Sequence, residues 1–206
     1  MLDAPTALHD MGRYFYAERP ELPVYDVVVT LTGLDMARKK AGKMSRATSG
    51  YAYVGGACVR NVYLKKISSV ALVEDSGGYS GVVVTAHELG HLLGAVHDGD
   101  AAPAYLRGPG AASCPWSRGF IMSDLRRTAR GQAWSDCSVK QVNICRVQPV
   151  PKCGHALLSN TTHPQNCQPQ RSDSLFPGPA RLVHFIFFFW IGENAVQSEV
   201  HRKTIM

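Results

Sequence analysis

None of the six cysteines stands in a C-x-x-C pair, no apolar run is long enough to cross a membrane, and charged residues make up only 18% of the chain. Each absence excludes something. Widely spaced cysteines argue against thiolate metal ligation and for disulfides formed in an oxidising compartment. The most apolar stretch, Phe185 to Ile191, falls far short of the roughly twenty residues of a membrane helix, and no Lys or Arg flanks it as an anchor. Met1 to Gly12 lack the basic start and apolar stretch of an export signal. The net charge of +6 is mild. Its obvious cluster, Arg126-Arg127 with Arg130, is not interleaved with aromatics, so nucleic acid is not an expected partner, whereas acidic matrix or cell-surface partners are compatible with a basic surface.

What is present fits a globular protein. A hydrophobic content of 45% in 206 residues excludes a disordered chain and suffices for one domain with a sizeable core. The expected organisation is a domain over residues 1–150 followed by an irregular tail, 151–206. A monomer is expected.

The chemistry is concentrated in His87-Glu88-Leu89-Gly90-His91-Leu92-Leu93-Gly94-Ala95-Val96-His97-Asp98. On a helix, residues four apart share a face, so His87 and His91 can grip one ion from the same side. Catalytic zinc takes three protein ligands and keeps a fourth position open. Glu88 falls beside the pair, where a carboxylate can act on the attacking water without being a ligand. Gly94 ends the helix, because a residue without Cβ turns sharply at little steric cost, and brings His97 back to the same ion. A lone buried histidine is ordinarily a hydrogen-bonded core residue; three at these offsets, with the Glu, Gly and Asp, are not an ordinary core pattern. Downstream, Phe120-Ile121-Met122-Ser123 has the form of a tight turn whose methionine packs beneath the imidazoles.

At these residues the chain resembles the metzincin zinc proteases of the reprolysin (adamalysin) type. The resemblance implies an α/β domain with a mixed twisted sheet, an active-site helix and a Met-turn. It implies His87, His91 and His97 as zinc ligands, Glu88 as catalytic base, Asp98 as the acidic residue after the third ligand, and Met122 as the turn methionine. Ala52-Tyr53-Val54-Gly55-Gly56-Ala57-Cys58 resembles the family's edge strand, along which substrate would lie extended by backbone pairing. Trp134-Ser135-Asp136-Cys137-Ser138 resembles its late cysteine segment. By the same resemblance Cys58 pairs with Cys137; six cysteines allow fifteen pairings, and Cys114 with Cys145 and Cys153 with Cys167 is only one way to pair the other four.

The implied activity is that of a secreted endopeptidase acting on extracellular proteins or peptides. The alternative is a catalytically dead fragment or an adhesion module of the same fold, but here every catalytic position is filled. Calcium is not expected as a cofactor: Asp35 matches one family ligand, but Lys140 stands where some relatives have Asn. Asn160-Thr161-Thr162 is a glycan acceptor motif usable in a secretory route.

Along the chain, the pattern predicts a helix over Leu8 to Glu18 and strands over Val24 to Leu31, Tyr51 to Gly55 and Ser69 to Val73. Val27, Val28 and Val29 form a β-branched run suited to a strand buried on both faces. Ser80 is the expected N-cap of the zinc helix, and a later helix is expected over Val139 to Cys145. The family's upstream strand, helix and strand have no counterpart, which implies a partial domain with an uncovered sheet edge. The export signal and inhibitory pro-segment are then expected in the absent part. The resemblance stops at about Gly154.

Overall fold

The computed structural model describes residues 1–17, 25–57, 59–106, 108–123, 129–146, 185–190 and 196–199. In chain order the elements are β1 (Leu2–Asp3), α1 (Ala4–Ala17), β2 (Val27–Thr32), β3 (Met36–Lys40), β4 (Lys43–Ser45), β5 (Gly50–Ala52), β6 (Arg60–Asn61) and β7 (Lys66–Ile67). They continue with β8 (Val70–Glu74), α2 (Gly81–Leu92), α3 (Asp136–Arg146), β9 (Phe185–Trp190) and β10 (Val196–Glu199). The architecture is mixed α/β.

Helix α1 starts a turn earlier than the apolar pattern suggests. The Asp3 carboxylate accepts a hydrogen bond from the Thr6 backbone N–H at 3.3 Å and another from the Thr6 hydroxyl. That makes Asp3 the N-cap, and Pro5 sits in the first turn, where a missing amide costs nothing. The expected end at Glu18 lies outside the described residues.

The main sheet has the order β10-β9-β2-β8-β5. β2 runs parallel to β8, with Val28 opposite Val70, and β5 runs antiparallel to β8, with Tyr51 opposite Leu72. Period-two alternation then divides the apolar side chains between the faces. Val28, Val70 and Leu72 pack with Ala4, Leu8 and Phe15 of α1, while Val27, Val29, Ala71 and Val73 pack with Val84 and Leu92 of α2. Val27, Val28 and Val29 are each at most 1% exposed, as the β-branched run implies. The sheet is thus the middle of three layers, and α2 is carried on its second face. Two smaller sheets, β1-β3-β4 and β6-β7, lie outside it.

Three expectations need correction. The tail read as irregular supplies β9 and β10: β9 pairs in parallel with β2 from Val27↔Phe185 to Thr32↔Trp190, so the β2 edge expected to lie open is covered. An apolar β-rich run meeting an unpaired row of backbone groups is the physical reason. Second, Cys137 bonds to Cys114, with Cα atoms 6.1 Å apart. This overturns both the Cys58–Cys137 and the Cys114–Cys145 pairings. The loop bearing Cys114 packs with Val96, Leu106 and Ala111 against the start of α3, which brings those two sulfurs together. Cys58, Cys153 and Cys167 lie outside the described residues, as do Arg126, Arg127 and the Asn160 motif. Third, α3 begins at Asp136 and not Val139, because Ser135 caps it.

Leu8 is fully buried between α1 and the sheet. Leu8→Ala is expected to lower unfolding free energy by about 2–5 kcal/mol in urea titration; a loss below about 1 kcal/mol would show that α1 does not seal this face.

Candidate metal centre

Helix α2 carries the first two histidines. Ser80 occupies the N-cap position, but its side chain makes no cap bond. Its hydroxyl instead donates to Asp75 Oδ1 at 3.0 Å and accepts from the Ser76 backbone N–H at 3.1 Å, so the expected cap is spent on the preceding loop. At the other end, the Gly94 N–H donates to His91 O at 2.9 Å and the Ala95 N–H to Gly90 O at 2.8 Å. Together with Gly94 at φ 102°, these bonds form a Schellman motif, which satisfies the last carbonyls and reverses the chain. Gly94 therefore does what the sequence expects of it.

That reversal returns His97 to the helix. His87 Nε2 and His91 Nε2 each lie 3.2 Å from His97 Nε2. Among the described residues these three form a group whose ligand atoms all fall within 4.8 Å of one another. His87 Nδ1 is 2.7 Å from Ile121 O, and His91 Nδ1 is 2.9 Å from Ala95 O. A carbonyl only accepts, so both Nδ1 atoms carry hydrogen and both Nε2 atoms present lone pairs. Neither of these two Nε2 atoms can then donate, so any hydrogen in the short contacts would have to come from His97 Nε2. Two lone pairs facing a third imidazole suit a shared cation, and tetrahedral zinc with Zn–N of ~2.0–2.1 Å requires N···N of about 3.3–3.4 Å. The donor set fits zinc. His87 and His91 are 3% and 7% exposed, whereas the His97 side chain is 39% exposed, so the centre opens to solvent on the His97 side.

Buried polar groups hold the segment of the third histidine in place. Asp98, 2% exposed, accepts from the Ser135 hydroxyl at 2.6 Å and from the Ser123 hydroxyl at 3.2 Å. Its backbone N–H donates to Met122 O at 3.0 Å. Ser135 also accepts from the Ser138 N–H at 3.2 Å, so one hydroxyl caps α3 and anchors Asp98. Phe120 to Ser123 form a turn closed by the Ser123 N–H to Phe120 O, and Met122 inside it is fully buried. A Cβ at Gly90 would stand 2.7 Å from both Met122 Sδ and Trp134 Cζ3. Gly90 is a residue the sequence reasoning passed over; only the close approach of this methionine and tryptophan to α2 reveals it.

The expected edge segment, Ala52 to Gly56, is strand only at Ala52. Gly55, at φ 70°, turns the chain away, and the Gly55 and Ala57 N–H groups donate to His91 O and Leu92 O at 2.7 and 2.9 Å. Tyr53, Val54 and Gly56 belong to this corner, which ties the strand's end to the end of α2. Burial raises the Tyr53 phenol above its ordinary pKa, and Tyr105, likewise raised by burial, directs its hydroxyl to Val54 O at 3.5 Å. Asp35 faces Arg46 at 3.6 Å. Glu88, 4% exposed, lies where α2 meets β5.

A helix offering two histidines with a glutamate between them in sequence, and a capped reversal offering a third, on an α/β scaffold, make the donor set of a metallopeptidase-type metal centre. Residues 32–149 match the family model of the metallo-peptidase family M12B, reprolysin-like. The chain belongs to this family. It is 57% identical over 141 residues to "A disintegrin and metalloproteinase with thrombospondin motifs like" of Bombyx mori, covering 68% of this chain and 20% of that protein. Similarity extends to venom metalloproteinase antarease-like TserMP_B of Tityus serrulatus, 32% identical over 156 residues, with 73% of this chain and 63% of that one covered. Venom metalloproteinase 3 of Eulophus pennicornis is 38% identical over 93 residues, 44% of this chain and 19% of its own. The chain thus spans about a fifth of the length of the Bombyx mori relative.

Ser135→Ala removes a cap and one donor to a buried carboxylate, and is expected to destabilise by about 2–4 kcal/mol. Ser138→Ala should cost about 1 kcal/mol; equal losses in urea titration would contradict the double role of Ser135.

Proposed function

We propose that this domain is a secreted zinc endopeptidase that cleaves peptide bonds in extracellular proteins, with His87, His91 and His97 as ligands and Glu88 as general base. The observation that carries the reading is the convergence of three Nε2 atoms, two of them held as lone-pair donors by backbone carbonyls. Zinc, when bound, supplies Lewis acidity, which makes water acidic near neutral pH and polarises the scissile carbonyl. Glu88 takes a proton from the attacking water and returns it to the leaving nitrogen. Its near-complete burial keeps that carboxylate out of bulk solvent.

The remaining residues position. Asp98 and Gly94 hold His97 in register with α2, and Met122, in the role of the Met-turn methionine, packs a soft floor against Gly90 between the two helix ligands. Substrate lies along β5, which ends the sheet. The Glu74 N–H donates to Ser49 O at 2.8 Å, so in the antiparallel alternation the backbone groups of Gly50 and Ala52 point away from β8, toward an added strand. The Cys114–Cys137 disulfide accords with an oxidising, extracellular setting. Among the described residues no helix is long and apolar enough to cross a membrane.

Purified protein is expected to hold about one zinc per molecule and to lose peptide cleavage when zinc is stripped by a chelator, regaining it on zinc addition. Glu88→Gln should retain the metal while turnover falls by ~10²–10⁴-fold. Well-folded protein without zinc, or a Gln variant that cleaves normally, would defeat the proposal.

A further inference from the structure

Gly50 sits in β5 opposite Val73, at the point where this strand crosses α2. Its backbone is not in the left-handed region, so conformation alone does not demand glycine there. The neighbours do. A Cβ at this position would overlap Glu88 Oε1 and stand 2.7 Å from Val84 Cγ1 and 2.8 Å from Glu88 Cδ, separations that real Cβ atoms essentially never show. Val84 and Glu88 are four apart on one face of α2, so the strand backbone rests directly on that face.

A side chain at residue 50 would force something to move, and the candidates differ in stiffness. The β5 backbone is paired to β8 through Tyr51 and Leu72. Val84 is packed among Val27, Val29, Ala71 and Val73. The Glu88 carboxylate ends a chain of rotatable bonds and is the softest of the three. We propose that Gly50 is a positioning residue for the general base: its lack of a side chain seats the Glu88 carboxylate directly against the strand that receives substrate. This rests on the reading of Glu88 as base. It adds a requirement that the histidine motif does not contain, since Gly50 lies 37 residues before His87 in the numbering.

The test uses zinc-loaded protein carrying Gly50→Ala, and Gly50→Ala with Val84→Ala, the second relieving the aliphatic crowding so that folding is preserved. Zinc content and KM should stay near those of the unmodified protein while kcat falls by roughly 10–100-fold, the loss of a well-placed hydrogen bond to a charged group. Two matched probes separate base placement from general damage. If Glu88 stands beside the ion, a dipeptidyl hydroxamate would donate its hydroxyl proton to that carboxylate as well as chelate the ion, whereas the dipeptidyl thiol would need only the ion. Both variants should bind the hydroxamate at least ~10-fold more weakly and the thiol unchanged. Unaltered kcat and hydroxamate affinity, equal weakening of both probes, or full recovery in the double variant would overturn the proposal. The inhibitor comparison requires no turnover. Unmodified protein that binds the hydroxamate better than Gly50→Ala but cleaves no peptide would sink the endopeptidase reading and leave the placement by Gly50 standing.

Discussion

Lone pairs on neighbouring imidazoles repel, and the whole centre depends on a fold stiff enough to hold two of them facing a third ring. His87 and His91 cannot relieve that repulsion by swapping tautomers, because Ile121 O and Ala95 O each claim an Nδ1 hydrogen. Those two carbonyls come from different places. One belongs to the turn around Met122, the other to the reversal at the end of α2. A shared cation would satisfy both fixed acceptors together with the facing His97 ring, so the tautomer anchors make any metal affinity depend on the backbone as much as on the histidines.

The same logic explains how the described residues between 93 and 135 are tied to α2 although their regular structure is confined to short 3-10 turns at Trp116–Arg118 and Ala129–Gln132. Buried Asp98 gathers two serine hydroxyls and the Met122 carbonyl accepts its N–H, so the segment after the third ligand, the turn and the start of α3 form one unit. The Cys114–Cys137 bond closes that unit covalently over a separation of 23 residues, which restricts the unfolded chain by about 3 kcal/mol. Polar satisfaction here replaces the apolar packing that fixes α1 and α2 on the sheet.

Contiguity decides which features could be read in the chain. The three histidines and the Schellman glycine fall within eleven residues, 87 to 97, and helix geometry alone relates most of them. The β-branched run of β2 announces a strand buried on both faces for a similarly local reason. Ser80 misled because a serine before a helix has two local partners, and Asp75 won the hydroxyl. Asp3 caps α1 through a bond to Thr6 spanning only three residues, yet the apolar pattern that announces the helix begins a turn later. The disulfide partner of Cys137 and the pairing of β9 with β2 involve separations along the chain that no periodicity encodes.

The amino-acid order by itself determined the candidate ligand set, since residue type and a 3.6-residue period place two imidazoles on one face and a glycine dictates where the helix stops. Only the folded arrangement decided which carbonyls fix the tautomers, which cysteines meet, how short the β5 strand is, and why glycine must stand at positions 50 and 90. Those outcomes depend on how closely separate backbones approach in space, a quantity set by the packing of the sheet, α2 and the Met122 turn together.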